Sequence, residues 1–161
     1  MNFKIFLITL VLMVVGGIKA NNFTTDYKKV YDELNSKSLY QVILLYNIKF
    51  PEVVYAQAVL ESSEFNSELF LRTNNLFGMK YPNVRKTTSS GKSKDGYAEY
   101  QHWISSVTDY QLWQKTNMKE NVYSQSDYFD LLSRNYAEDR KYVNKLKNII
   151  SNNDDFFDSI E

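Results

Sequence analysis

The sequence predicts a mainly α domain carrying one small β-hairpin lobe, and three observations lead there. Beyond residue 20, apolar side chains recur mostly at helical spacing. A polar, Ser- and Lys-rich tip bracketed by Gly91 and Gly96 is the one stretch that reads as a hairpin. The length, 161 residues, suits a single hydrophobic core.

The chain starts with a basic tetrapeptide, Met1 to Lys4, followed by an apolar run from Ile5 to Ile18 and the sequence Ile18-Lys19-Ala20, whose last residue is small. That layout predicts a secretory signal peptide over residues 1–20. The run is shorter than the roughly 20 residues a membrane-spanning helix needs, so no stable membrane anchor is expected. Residues 21–151 are then the expected domain. Thr25 is placed to cap a helix whose stripe is Tyr27, Val30, Tyr31 and Leu34. A buried segment follows from Ser38 to Tyr46, and Pro51 opens a helix reaching about Glu64. Strands are expected at Val84 to Thr88 and Tyr97 to Gln101. Ser106 to Asp109 reads as a capping box for a helix to Lys115, with Val107, Tyr110 and Trp113 on its inner face. Two more helices are expected, Ser126 to Asn135 and Glu138 to Ile150, the second with Tyr142, Leu146 and Ile149 as its stripe. Residues 152–161 are acidic and are expected to fray.

Composition narrows the chemistry. Basic and acidic residues number 19 each, and loss of Lys4 and Lys19 with the leader leaves a mildly acidic product, so neither nucleic acid nor an anionic surface is recruited by net charge. The chain has no cysteine and a single histidine, His102, which excludes disulfides, thiol nucleophiles and Cys- or His-rich metal sites. No metal or organic cofactor is expected. Carboxylates, hydroxyls, amides and aromatic rings remain.

Among the carboxylates, Glu61 stands out. It follows Val54, Gln57 and Ala58 by seven, four and three residues, which places it on a helical face of small or apolar neighbours near the helix C-terminus. Desolvation and the helix dipole both disfavour its charged form, the condition for a general acid near neutral pH. The plain alternative is a glutamate facing solvent at a helix end.

Two stretches, Ala56-Gln57-Ala58-Val59-Leu60-Glu61-Ser62-Ser63 and Asn74-Asn75-Leu76-Phe77-Gly78-Met79-Lys80, resemble the signatures of the glucosaminidase family of peptidoglycan hydrolases. Tyr97 to Trp103, Ser106 to Tyr110 and Asn135 to Tyr142 continue the resemblance in the family's order, over roughly Ser38 to Ile150. It implies a lysozyme-like α+β fold and cleavage of the β-1,4 bond after N-acetylglucosamine in peptidoglycan strands, with no cofactor; together with the leader this sets the expected location in the bacterial periplasm or at the extracellular cell envelope. The family's acid passes to Glu61, and Tyr136 resembles a family tyrosine near the reacting sugar. A monomer is expected.

The pattern breaks at the second acid. Where many members have a glutamate in the first hairpin strand, Val84 to Ser90 holds no carboxylate, which leaves Glu99, or Asp95, as the nearest alternative. Strand alternation sets Glu99 on the side of Tyr97, away from Ala98 and Tyr100. Without a second carboxylate, participation by the substrate's acetamido group is the remaining hydrolytic route. Substrate contacts are assigned to Gln57, Asn75, Phe77, Gly78, Tyr100 and Trp103: Gly78 for close backbone approach, Phe77 and Trp103 for sugar stacking. Lys80, Arg85 and Lys86 form a basic edge suited to peptide-stem carboxylates, or simply a solvated one. Two other readings stay open, a glycan-binding module of weakened activity and a lytic transglycosylase, which needs a single acid/base.

Overall fold

Residues 33–118, 122–135 and 139–160 are described by the structure, a computed structural model. The leader, the helix expected from Thr25, and Tyr136 lie outside the described residues. Among the described residues, seven helices and one two-stranded sheet follow in the order α1 (Ser36–Leu45), α2 (Pro51–Glu61), α3 (Glu68–Thr73), β1 (Gly91–Lys92), β2 (Ala98–Glu99), α4 (Trp103–Asn117), α5 (Gln125–Asn135), α6 (Tyr142–Ser151) and α7 (Asp154–Asp158). This is the mainly α, lysozyme-like arrangement with a small β lobe. None of these helices is long and apolar enough to cross a membrane.

Helix α2 is the central element. Pro51 at its first turn needs no hydrogen bond for its missing N–H, and Val53 through Ala58 are all buried, so the helix is covered nearly all round. It lies chiefly against α6 and then α1. The Asn35 and Ser38 side chains cap α1 reciprocally, each accepting from the other's backbone N–H at 2.9 Å. Helix α5 contributes Tyr128, Phe129, Leu131 and Leu132 to the core, with Tyr128 stacked on Phe50 at 4.9 Å between ring centroids. Helix α6 contributes Tyr142 and Leu146.

The structure corrects several sequence expectations. The first hairpin strand is not Val84 to Thr88 but Gly91–Lys92, paired antiparallel with Ala98–Glu99 in the register Gly91 to Glu99 and Lys92 to Ala98. Arg85 turns inward to an ion pair with Asp109 of α4, which ties its segment to a helix, and Val84 is left 99% exposed. Tyr97 instead bridges Lys80, so the 79–81 stretch runs beside the hairpin.

Helix α4 starts at Trp103, earlier than the expected capping box. His102 is its N-cap, Nδ1 accepting from the Ile104 N–H at 3.3 Å, and Ser106 and Asp109 are buried within the helix. The short helix α3, absent from the sequence reading, is capped by Ser67. The acidic tail carries the short helix α7, Asp154–Asp158. Phe157 is 5% exposed and sets its ring against Tyr40 at 4.8 Å and Tyr55 at 5.3 Å, so the apolar pair outweighs the charges around it.

Candidate functional site

Glu61 is the last residue of α2, and the chain turns sharply behind it. Ser63, Glu64 and Phe65 have φ of 50°, 54° and 67°, three successive left-handed residues that cost roughly 1–2 kcal/mol each without a glycine. Ser62 compensates from the inside of the turn: its hydroxyl donates to the Ala58 carbonyl at 2.6 Å and accepts from the Phe65 N–H at 2.9 Å. The turn closes further where the Glu64 N–H meets the Val59 carbonyl at 2.8 Å and the Ser67 N–H meets that of Ser62 at 2.7 Å. Strain concentrated beside one carboxylate is the pattern of a functional position.

The opposite wall is the loop from Asn74 to Met79. Asn75 is 1% exposed; its amide donates to the carbonyls of Met79 at 2.9 Å and Ala98 at 3.0 Å, and its carbonyl accepts from the Met79 N–H at 3.0 Å. This staple joins the loop to β2 and presents Gly78, at φ +60°, to Glu61. A Cβ at Gly78 would lie 3.4 Å from Glu61 Oε2, so the loop backbone passes close to the carboxyl.

Burial pushes the Glu61 carboxyl up from its ordinary value, and the Tyr142 hydroxyl bond and the Lys145 charge pull part of the way back. The group is half-buried and on the α6 side of its helix, as its hydroxyl partner shows. Tyr142 also accepts from Gln57 Nε2 at 3.0 Å, and Gln57 Oε1 accepts from Tyr110. Burial and the adjacent Glu61 charge hold the Tyr142 hydroxyl far above the usual phenol range, so it stays protonated and able to donate.

The other residues assigned to substrate are mostly inside. Gln57 and Phe77 are wholly buried, the first hydrogen-bonded between two tyrosines and the second stacked on Tyr110 at 4.3 Å. Neither offers a surface to a glycan, and Asn75 spends its amide on the loop. Tyr100 is 4% exposed and gives its hydroxyl to Asp109 at 2.7 Å; Trp103 is equally buried, beneath the start of α4. All five are buried, and the amides of Gln57 and Asn75 and the Tyr100 hydroxyl are spent on the protein itself, whereas Trp103 Nε1 is buried with no hydrogen-bond partner among the described residues. Gly78 remains at the surface of the site.

Arg85 leaves the expected basic edge for Asp109, and Lys80 lies over the Tyr97 ring at 3.3 Å while donating to the Asp95 carbonyl at 3.1 Å. Lys86 stays exposed. Glu99 is half-buried on β2 opposite Gly91, where a Cβ would come within 3.2 Å of its Oε2. Ala98 and Tyr100 are buried on the other side, as the alternation requires. Tyr142 is the neighbour of Glu61 that the sequence reading placed in the core stripe; its spacing on α6 fits both roles, so periodicity could not single it out.

Two comparisons with known proteins bear on the chain. The family model described as mannosyl-glycoprotein endo-beta-N-acetylglucosaminidase, the glucosaminidase family, matches residues 36–155. Among solved structures, the catalytic domain of the autolysin Auto from Listeria monocytogenes is similar in fold, with a TM-score of 0.50 and 22% identity over 86% of this chain and 97% of that one. A comparison with curated proteins finds no match.

Proposed function

Because the chain belongs to the glucosaminidase family, we propose that it is an exported hydrolase of peptidoglycan glycan strands, cutting the β-1,4 bond after N-acetylglucosamine with Glu61 as general acid. The observation that carries this reading is the Glu61 carboxyl itself, half-buried at the end of α2, raised by desolvation and faced by the Gly78 backbone. A carboxyl raised in this way keeps its proton above the ordinary carboxyl range, available for transfer to the leaving glycosidic oxygen as the C1–O bond breaks and charge builds on the ring. The similar fold of an autolysin's catalytic domain is in keeping with this reading.

The cation at C1 must then be met from the other face. Val84 to Ser90 supplies no carboxylate, and Glu99 is the nearest candidate base along the chain. Where Glu99 does not reach the sugar, the acetamido oxygen closes on C1 and water opens the resulting oxazolinium ion, with Tyr136 orienting that group. Residues 1–20 act as the export signal in this reading, and the domain follows from residue 21.

The test is direct. Incubation of the protein with purified sacculi releases reducing ends, and Glu61→Gln lowers the rate at least a hundredfold, in line with the worth of a general acid. Full activity in that variant refutes the assignment. Mass spectrometry of the products separates hydrolysis from transglycosylation, since only the latter leaves 1,6-anhydro ends.

A further inference from the structure

Behind Glu61 runs a continuous line of buried polar side chains that the reaction above does not use. It starts at the backbone of Lys49, whose N–H donates to Gln114 Oε1 at 3.1 Å and whose carbonyl accepts from Gln114 Nε2 at 2.9 Å. Backbone groups have a fixed sense, so this pairing decides which end of the Gln114 amide is which. The same Nε2 donates to the Tyr128 hydroxyl at 2.8 Å. Tyr128 lies 2.5 Å from the Tyr110 hydroxyl; Tyr110 meets Gln57 Oε1; Gln57 Nε2 meets Tyr142; and Tyr142 meets Glu61. Gln57, Tyr110 and Tyr128 are wholly buried, and Gln114 is 3% exposed.

Each tyrosine has one proton to give. With Tyr128 accepting from Gln114, its proton goes to Tyr110; the Tyr110 proton then goes to Gln57 Oε1, which turns Gln57 Nε2 toward Tyr142 and leaves the Tyr142 proton for Glu61. The geometry points to a one-way hydrogen-bond relay, anchored at the Lys49 backbone, in which Tyr142 is a positioning residue that donates to one oxygen of Glu61 and leaves the acid proton on the other. This rests on Glu61 being the acid of the proposed function.

The consequence is twofold. With the Tyr142 hydroxyl accepting from Gln57 and donating to one oxygen of Glu61, the proton of the neutral acid sits on the other oxygen and is kept for an incoming group. The ionised form keeps a strong donor after the proton has left, which holds the carboxylate in place for the next step. Among the described residues, the groups acting on Glu61 are Tyr142 and Lys145, both on α6; Lys145 is also paired with Asp139 at 2.8 Å. No charged group of α1 or of the Gly78 loop acts on it. The sequence hides this relay because its hydrogen-bonded partners are 14 to 85 residues apart.

Two isosteric variants test it, read by carbon-13 NMR titration of the Glu61 carboxyl in glutamate-labelled protein, with Glu61→Gln assigning the signal. Tyr142→Phe removes the donor to the anion, and the Glu61 pKa rises by about one unit, a tenfold change in ionisation. The alkaline limb of the pH–rate profile moves by the same amount. Tyr110→Phe touches nothing at Glu61 yet frees the Gln57 amide to turn, and it shifts the pKa in the same direction by a few tenths of a unit. An unchanged or lower pKa in Tyr142→Phe overturns the proposal. A shift in Tyr142→Phe with none in Tyr110→Phe overturns the relay beyond Tyr142. These titrations need no turnover, so retained activity in Glu61→Gln would sink the functional reading without deciding the relay.

Discussion

Asp109→Asn tests the joint between the β lobe and the helices. Asp109 is fully buried on α4, and its two oxygens accept four hydrogen bonds: from Arg85 Nη1 at 2.7 Å and Nη2 at 3.1 Å, from the Tyr100 hydroxyl at 2.7 Å and from the Thr88 N–H at 3.3 Å. The Arg85 side chain is itself only 12% exposed. An amide in place of the carboxylate keeps one acceptor oxygen, sets an NH2 against groups that are all donors, and leaves the guanidinium without its counter-charge. Breaking a buried pair on one side costs roughly 3–5 kcal/mol, much of the 5–15 kcal/mol that holds a domain of this size together. The melting temperature should fall by roughly 10 °C or more. Urea unfolding followed by fluorescence of Trp103 and Trp113 measures the loss. Tyr100→Phe, which removes one charge-assisted bond, should cost about 1.5–3 kcal/mol, and the pair Arg85→Met with Asp109→Leu should recover much of the single-variant loss. A loss under about 1 kcal/mol in Asp109→Asn would refute the idea that this cluster locks the 85–88 segment.

Two further predictions concern opposite ends of α2. The folded-state pKa of Glu61 is raised, so its contribution to stability is fully present below the unfolded value of about 4.3 and is lost as pH rises through the folded value. Glu61→Gln, which cannot ionise, should therefore be more stable than the parent near pH 7 and lose that advantage as pH falls through the folded value toward about 4.3; a difference in melting temperature that does not vary with pH would contradict the burial argument. At the other end, Phe157→Ala empties the site against Tyr40 and Tyr55 and should cost roughly 3 kcal/mol in chemical denaturation, whereas a frayed tail would show no loss at all.

The helical frame was legible because its signals are local. Pro51 marks the start of α2, and the Tyr142 and Leu146 stripe marks α6, each decided within a turn or two of chain. What failed did so through contacts the pattern does not carry. Val84 to Thr88 holds β-branched residues, yet Arg85 gains more from a buried carboxylate on α4 than the segment gains from a ladder. Ser106 to Asp109 satisfies the capping-box spacing, but the histidine just before Trp103 takes the N-cap and leaves both residues inside the helix. Phe156 and Phe157 sit among three aspartates of the tail, and the two rings they reach are more than a hundred residues earlier in the chain.

The candidate site divides in the same way. Glu61 could be singled out because uncharged residues stand three, four and seven positions back on its own helix, although Tyr142, Lys145 and Gly78 come to it from elsewhere in the chain. The residues expected to touch substrate were chosen for their chemistry, and Gln57, Asn75, Phe77, Tyr100 and Trp103 all proved to be buried. A side chain able to stack on a sugar can equally well stack on Tyr110, and an amide able to read a hydroxyl can equally well hold a loop. Residue type therefore names a repertoire, and burial selects from it. For Gln57 the selection has a functional edge: removed from the substrate, it stands one hydroxyl away from Glu61, where an amide's two unlike ends can impose a direction that no apolar residue could.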